Sequence, residues 1–200
     1  MFCSGARVEG EDFARVDWTG ESLDGVHFTD CRFDNARLLE LTTRQCVFDG
    51  CDFSGARLSA STHDTSGFLR CRFRRSALWD ATFTACKLTG SEFAGATLRP
   101  ITVTGGDWSY VSLRGADLQG ADLTGVRLRE ADCTDADLRG AVLCDADLGH
   151  ARLTGARLRK ADLRGARTEG VDWRALDLAE VRVDIGQALA IAVAYGVELD

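Results

Sequence analysis

The residues best equipped for chemistry in this 200-residue chain are eight cysteines, three histidines and thirty-one carboxylates. Cysteine and histidine together raise metal ligation, thiol redox or nucleophilic attack, and carboxylate pairs raise acid–base work. Their spacing speaks against most of this. No C-x-x-C pair, G-x-S-x-G elbow or phosphate-cradling glycine loop occurs. Cys31, Cys51 and Cys71 lie 20 residues apart, and Cys31, Cys46, Cys51, Cys71 and Cys86 share one position of a shorter repeat. Cys3 and Cys133 share another, and only Cys144 is expected to face outward. Thiols placed in this way read as small buried hydrophobes. His63 stands where a large apolar residue is expected, with Thr43 20 residues before it, which reads as a buried histidine satisfied by a hydroxyl. No catalytic, metal or cofactor site is expected, and the chain reads as a binding protein rather than an enzyme.

The repeat that places these residues has a period of five. Stepping by five from Val8 to Val183 visits 36 positions, of which all but Thr43, His63 and Thr168 are apolar. Stepping in the same way from Ala6 to Val181 gives small, uncharged residues, broken only by Glu11 and Glu21. Sixteen of the 21 glycines fall two residues after the large apolar position, which marks that position as a corner. Five is neither the helical nor the strand period. Units of this kind bury nothing alone and must stack.

Units such as Ala116-Asp117-Leu118-Gln119-Gly120, Ala121-Asp122-Leu123-Thr124-Gly125, Ala136-Asp137-Leu138-Arg139-Gly140 and Ala161-Asp162-Leu163-Arg164-Gly165 resemble the A(D/N)LXX motif of pentapeptide repeat proteins. The resemblance covers about residues 6 to 183 in one unbroken frame. It implies an all-β fold, a right-handed quadrilateral β-helix with four units per coil and hence about nine coils. At strand spacing the rod would be roughly 43 Å long. Residues 20 apart should then stack. Phe13, Phe33, Phe53, Phe73 and Phe93 would form one inner column, and Leu38, Leu58, Leu78, Leu98, Leu118, Leu138 and Leu158 another. Outside, Asp12, Arg32, Asp52, Arg72 and Glu92 alternate in sign at that step, and Asp132, Arg152 and Asp172 resume after Ser112. Pro100 falls at a corner, where a missing N–H is tolerated.

The solenoid is expected over residues 1–183, with a capping and dimerisation helix and tail over 184–200. Asp184 is placed to cap a short helix from Ile185 to Tyr195, with Gly196 at its C-terminal end. Ile185, Ala188, Leu189, Ala192 and Val193 lie on one face, Ile191 and Tyr195 on another. A cap needs only one apolar face, so the surplus predicts a homodimer through this helix, with Val197 and Leu199 in a closing strand that crosses between subunits.

The formal net charge is −7, which disfavours direct nucleic-acid binding. The acidic bias is concentrated in the second half, at the outward position before the large residue: Asp107, Asp117, Asp122, Asp132, Asp137, Asp147, Asp162, Asp172 and Asp177. These are expected to form an acidic, partner-binding face, on which Asp117 and Asp137 are adjacent like charges. The alternative is that aspartate here serves the turn. No run reaches the roughly 18 apolar residues of a membrane span. The opening MFCSGARVEGEDF carries early acids and no apolar core, unlike a secretory leader. A cytoplasmic location without membrane contact is expected.

Within pentapeptide repeat proteins the chain is most similar to the fluoroquinolone-resistance group, the MfpA and Qnr proteins, in length, unbroken coils, C-terminal apolar helix and the closing Gly196-Val197-Glu198-Leu199. The lack of inserted loops is more similar to MfpA. That resemblance implies a dimeric rod that mimics B-form DNA, occupies the DNA-binding saddle of DNA gyrase, with topoisomerase IV a second candidate, and protects or inhibits the enzyme. A duplex 43 Å long carries about 25 charges, so mimicry at a net charge of −7 would have to use one acidic face. A structural or adaptor rod for a different partner is the alternative.

Overall fold

A computed structural model describes residues 2–198. The chain winds as a four-sided β-solenoid in which each coil takes 20 residues. Nine short strands are formed in chain order: β1 (Arg7–Glu9), β2 (Ser22–Asp24), β3 (His27–Thr29), β4 (Thr42–Arg44), β5 (Val47–Asp49), β6 (Thr62–Asp64), β7 (Gly67–Leu69), β8 (Ala81–Thr84) and β9 (Ile101–Thr104). They lie in two parallel sheets, ordered β1-β3-β5-β7 and β2-β4-β6-β8-β9. Every pairing is shifted by 20 residues, as in Val8↔Phe28, Phe48↔Phe68 and Thr43↔His63. Named strands therefore span about five turns, fewer than the nine coils expected from the unit count. Beyond Thr104 the same 20-residue step continues through isolated bridges as far as Asp162↔Arg182.

The inward positions explain the stacking. Phe13, Phe33, Phe53, Phe73 and Phe93 form one column with ring centroids 4.8–5.1 Å apart. Phe28, Phe48 and Phe68 form a second, at 4.8–5.0 Å. The leucine column from Leu38 to Leu158 is buried throughout. Each fully buried Phe or Leu contributes on the order of 1.5–3 kcal/mol, against the backbone entropy of a long, thin chain.

From Gly5 to Glu180 the corners take positive φ at every fifth residue except Pro100 and Ala175. Where glycine is absent, other residues adopt it, for example Asn35 (56°), Arg75 (55°) and His150 (57°), at a cost that the surrounding ladder must offset. Gly106 is different. A Cβ there would fall 2.3 Å from the Cys86 carbonyl oxygen, so this inward position admits only glycine.

The ends depart from the repeat. Cys3 is exposed rather than inward, because the first coil has no neighbour on one side. The same opening accounts for Glu11 in an inward position, where it remains exposed. Phe2 folds over this end with its ring 5.3 Å from Phe28 and 6.0 Å from Phe13. At the other end Trp173–Ala175 forms a single 3₁₀ turn, capped by Asp172. Helix α1 (Ile185–Ala194) then closes the solenoid with a full capping box: Asp184 accepts from the Gln187 N–H, and Gln187 accepts from the Asp184 N–H. Its C-terminus is a Schellman turn, with Gly196 donating to Val193 and Val197 to Ala192. Val197 and Glu198 form no strand, and Leu199 lies outside the described residues.

Candidate interaction surface

All nine outward aspartates do the same local work. Each accepts a hydrogen bond from the backbone N–H two residues on, at 3.0–3.2 Å: Asp107 from Ser109, Asp117 from Gln119, Asp122 from Thr124, Asp132 from Thr134, Asp137 from Arg139, Asp147 from Gly149, Asp162 from Arg164, Asp172 from Arg174 and Asp177 from Ala179. The carboxylate thus mimics a turn carbonyl and tightens the corner. None of the nine named strands carries aspartate at that position. Aspartate accompanies tight turns without being required for them, since Arg32, Arg57, Ala77, Lys87 and Val142 stand at the same position in tight turns.

These aspartates do not form one face. The bridges Asp107↔Arg127 and Arg127↔Asp147 lie on one side, Ser112↔Asp132 and Asp132↔Arg152 on a second, Asp117↔Asp137 on a third, and Asp122↔Val142 and Val142↔Asp162 on a fourth. Asp172 and Asp177 continue the second and third columns by the 20-residue step. The reason is arithmetic: successive units turn through successive sides, so aspartates five residues apart point in different directions.

Nor are they all free. Asp137 is paired with Arg139 (2.7 Å) and Arg157 (2.9 Å), and Asp162 with Arg164 (2.7 Å) and Arg182 (3.4 Å). Asp107 pairs with Arg127, Asp132 with Arg114, and Asp117 with Arg99. Asp117 and Asp137 are therefore not a bare like-charge pair, because three guanidiniums surround them. The Arg139 hydrogen bond lowers the Asp137 pKa, the Arg164 hydrogen bond lowers that of Asp162, and the Thr124 hydroxyl and N–H lower that of Asp122. At Asp107 burial pushes upward, but bonds from Ser109 and Arg127 outweigh it. Asp122, Asp147, Asp172 and Asp177 have no ion-pair partner among the described residues.

The helix is a second candidate surface. Gln187 is its innermost residue, donating through its side-chain amide to the carbonyls of Leu163 and Ala166, while Ile191 and Ala194 pack on the core. Sequence reasoning missed Gln187 because its polarity hid an inward position, although its spacing of four and seven from Ile191 and Ala194 would have found it. The opposite side is bare: Ile185 is 81% exposed, Leu189 47%, Val193 57%, Tyr195 57% and Val197 50%, with Ala188 exposed and Ala192 half-buried between them.

The buried polar groups around His63 satisfy one another. The His63 Nδ1 lies 2.8 Å from the Thr43 hydroxyl and Nε2 lies 2.9 Å from that of Ser61. Thr43 donates onward to Ser66, and Ser66 to the Asp64 carbonyl, which leaves Nδ1 to donate and Nε2 to accept. Burial lowers the His63 pKa to about 3 and raises the Cys86 and Cys133 thiols to about 11 and about 12. Among the described residues no group of three or more His, Cys, Asp and Glu is placed to hold a metal, and no helix is long and apolar enough to cross a membrane.

The family model for pentapeptide repeats matches residues 68–99, 109–143 and 131–170, in eight copies. No curated protein sequence matches the chain. Among solved structures it is similar to a trypsin-treated variant of QnrB1, a plasmid-mediated fluoroquinolone resistance protein, with a TM-score of 0.88 and 25% identity over 98% of both chains. Full-length QnrB1 gives a TM-score of 0.87 and 24% identity over 96% of this chain and 98% of that one. The matched repeats, the unbroken frame and the coil they build make the chain a pentapeptide-repeat protein, similar in fold from end to end to QnrB1.

Proposed function

We propose that this protein is a dimeric rod that binds DNA gyrase in place of DNA and thereby modulates the enzyme and protects it from fluoroquinolones or similar poisons. The observation that carries this reading is the correspondence, over 98% of both chains, with a fluoroquinolone resistance protein. The bare apolar side of α1 supports dimerisation, because exposed Ile185, Leu189, Val193 and Tyr195 on one short helix are an association surface. The proposed partner acts in the cytoplasm, and the reading places the protein there.

Gyrase contact would fall to the aspartates left without an ion pair, Asp122, Asp147, Asp172 and Asp177, rather than to a single acidic face. The test is DNA supercoiling by gyrase with and without a fluoroquinolone, in the presence of the purified protein. The expected result is inhibition alone or rescue with drug, lost when the four aspartates are changed to Asn. Asparagine keeps the turn bond and removes the charge, so folding should survive. No effect on supercoiling or drug response at micromolar protein would sink the reading. The adaptor-rod alternative draws its support from columns of alternating sign, such as Lys87, Asp107, Arg127, Asp147 and Arg167, which dilute a DNA-like field.

A further inference from the structure

Six arginines in the first half have no ion-pair partner among the described residues: Arg7, Arg15 and Arg44, and three that fall in adjacent units on neighbouring coils, Arg57, Arg74 and Arg75. The placement of these last three is compact. Ala77 sits at the middle of one side, with Arg57 directly beneath it and Thr97 directly above in the bridge column. Arg74 and Arg75 occupy the corner on one flank of Ala77, and Trp79 the corner on the other, with Trp79 52% exposed. Ala77 has a short side chain, so the floor is low and the rim is formed by arginines and an indole. Nearby acids are otherwise engaged: Asp17 with Arg37, Asp34 with Arg32, and Asp52 with Arg72. Asp80 lies beyond Trp79, and Asp34 and Asp52, each paired with its own arginine, share a groove with Arg74 and Arg75. Arg37 and Arg57 are bridge neighbours, and like charges facing each other cost stability. Nothing in the fold requires them, because the outward position accepts Asp, Thr or Ala in neighbouring coils.

We infer that this seat docks a short acidic segment of a partner protein, its carboxylates forked by Arg57, Arg74 and Arg75 and an apolar side chain resting on Trp79 and Ala77. Arginine pairs carboxylates in a bidentate manner and is weakly hydrated, and exposed tryptophan with arginine is the composition of protein-binding hot spots. Nucleic acid fits less well. The chain carries a net charge of −7, and a strand leaving the seat toward the second half would meet 17 acids against 12 bases over residues 101–200. A short peptide meets only the seat. The inference is independent of gyrase binding, which was assigned to the opposite half of the rod.

The probe is a short fluorescein-labelled peptide of glutamates around a central phenylalanine, with its glutamine counterpart and a single-stranded DNA of equal charge as separate arms. Fluorescence anisotropy of the full chain should show salt-sensitive binding of the glutamate peptide alone. Arg57→Ser with Arg75→Ser should weaken it about tenfold or more, and Trp79→Ala should also weaken it. The charge-matched control, Arg129→Ser with Arg152→Ser beside a groove in the second half, should leave it within about twofold, as screened distant charges do. Thermal melts would confirm that all variants fold. Equal loss in the control pair, absence of peptide binding, or tighter binding of the DNA would each overturn the proposal.

Discussion

Residues 7–104 and 105–183 follow one period yet are built differently. The first stretch stacks phenylalanines at 4.8–5.1 Å, uses Cys and Ser at many small inward positions, and extends into nine strands. The second stacks leucine on leucine, uses mostly Ala, and is held by single bridges with no named strand. Trp108 marks the change, with its ring 5.8 Å from Phe83 and 6.1 Å from Phe93. The difference teaches that the period sets the coil, while two positions in each unit set its texture. The large residue decides how the core stacks. The residue before it, where it is aspartate, adds a bond from the N–H two residues on, although Arg32, Ala77 and Lys87 stand in the same tight turns without one.

The largest expected effect probes the stacked half. Phe53→Ala removes a ring that stacks on both Phe33 and Phe73 and should cost about 3–5 kcal/mol, against about 2–5 kcal/mol for Leu138→Ala in the other half. Urea unfolding of both variants measures the contrast, and a larger loss at Leu138 would break it. Next comes the loss of stability between about pH 6.5 and about pH 4, above the carboxylate range, which should originate in the first half. His63 is held neutral with its pKa lowered to about 3, whereas the unfolded chain protonates histidine near 6.5. Its contribution is full above about pH 6.5 and drains away as pH falls toward about 3, by up to about 1.4 kcal/mol per unit. Thr43→Val with His63→Phe should flatten the stability–pH slope between roughly pH 6 and pH 4. An unchanged slope would remove His63 from the account.

A smaller effect separates turn from charge in the second half. Asp122→Ala should cost about 1 kcal/mol through its lost turn bond, and Asp122→Asn close to nothing. Equal loss for both would mean that the charge, not the turn, matters. The smallest effect on stability is expected for Thr102→Asp in β9, within about 0.5 kcal/mol. It should leave that rung extended and paired with β8, as a crystal structure would reveal.

Much of this was legible before any coordinates. Thr43 beside His63, the phenylalanine column and the leucine column all follow from a step of 20, because parallel rungs repeat the same inward direction. The same step also separates the nine aspartates onto four sides, a consequence that composition by halves conceals. Ser61 and Ser66 were unremarkable in sequence, because small inward positions accept serine without any need for a partner. They turn out to complete the His63 network.

The sequence determined the period and the inward positions of each unit away from the ends, since a five-residue repeat admits one way of burying its apolar positions, while the four-unit coil followed from the family resemblance and from charges that alternate at a step of 20. The tertiary structure decided which carboxylates are silenced by an arginine two or 20 residues away, that Gln187 rather than an apolar residue anchors the cap, and that Cys3 faces solvent. These depend on side-chain reach across coils and on what lies beyond the ends of the stack, and a periodic pattern encodes neither.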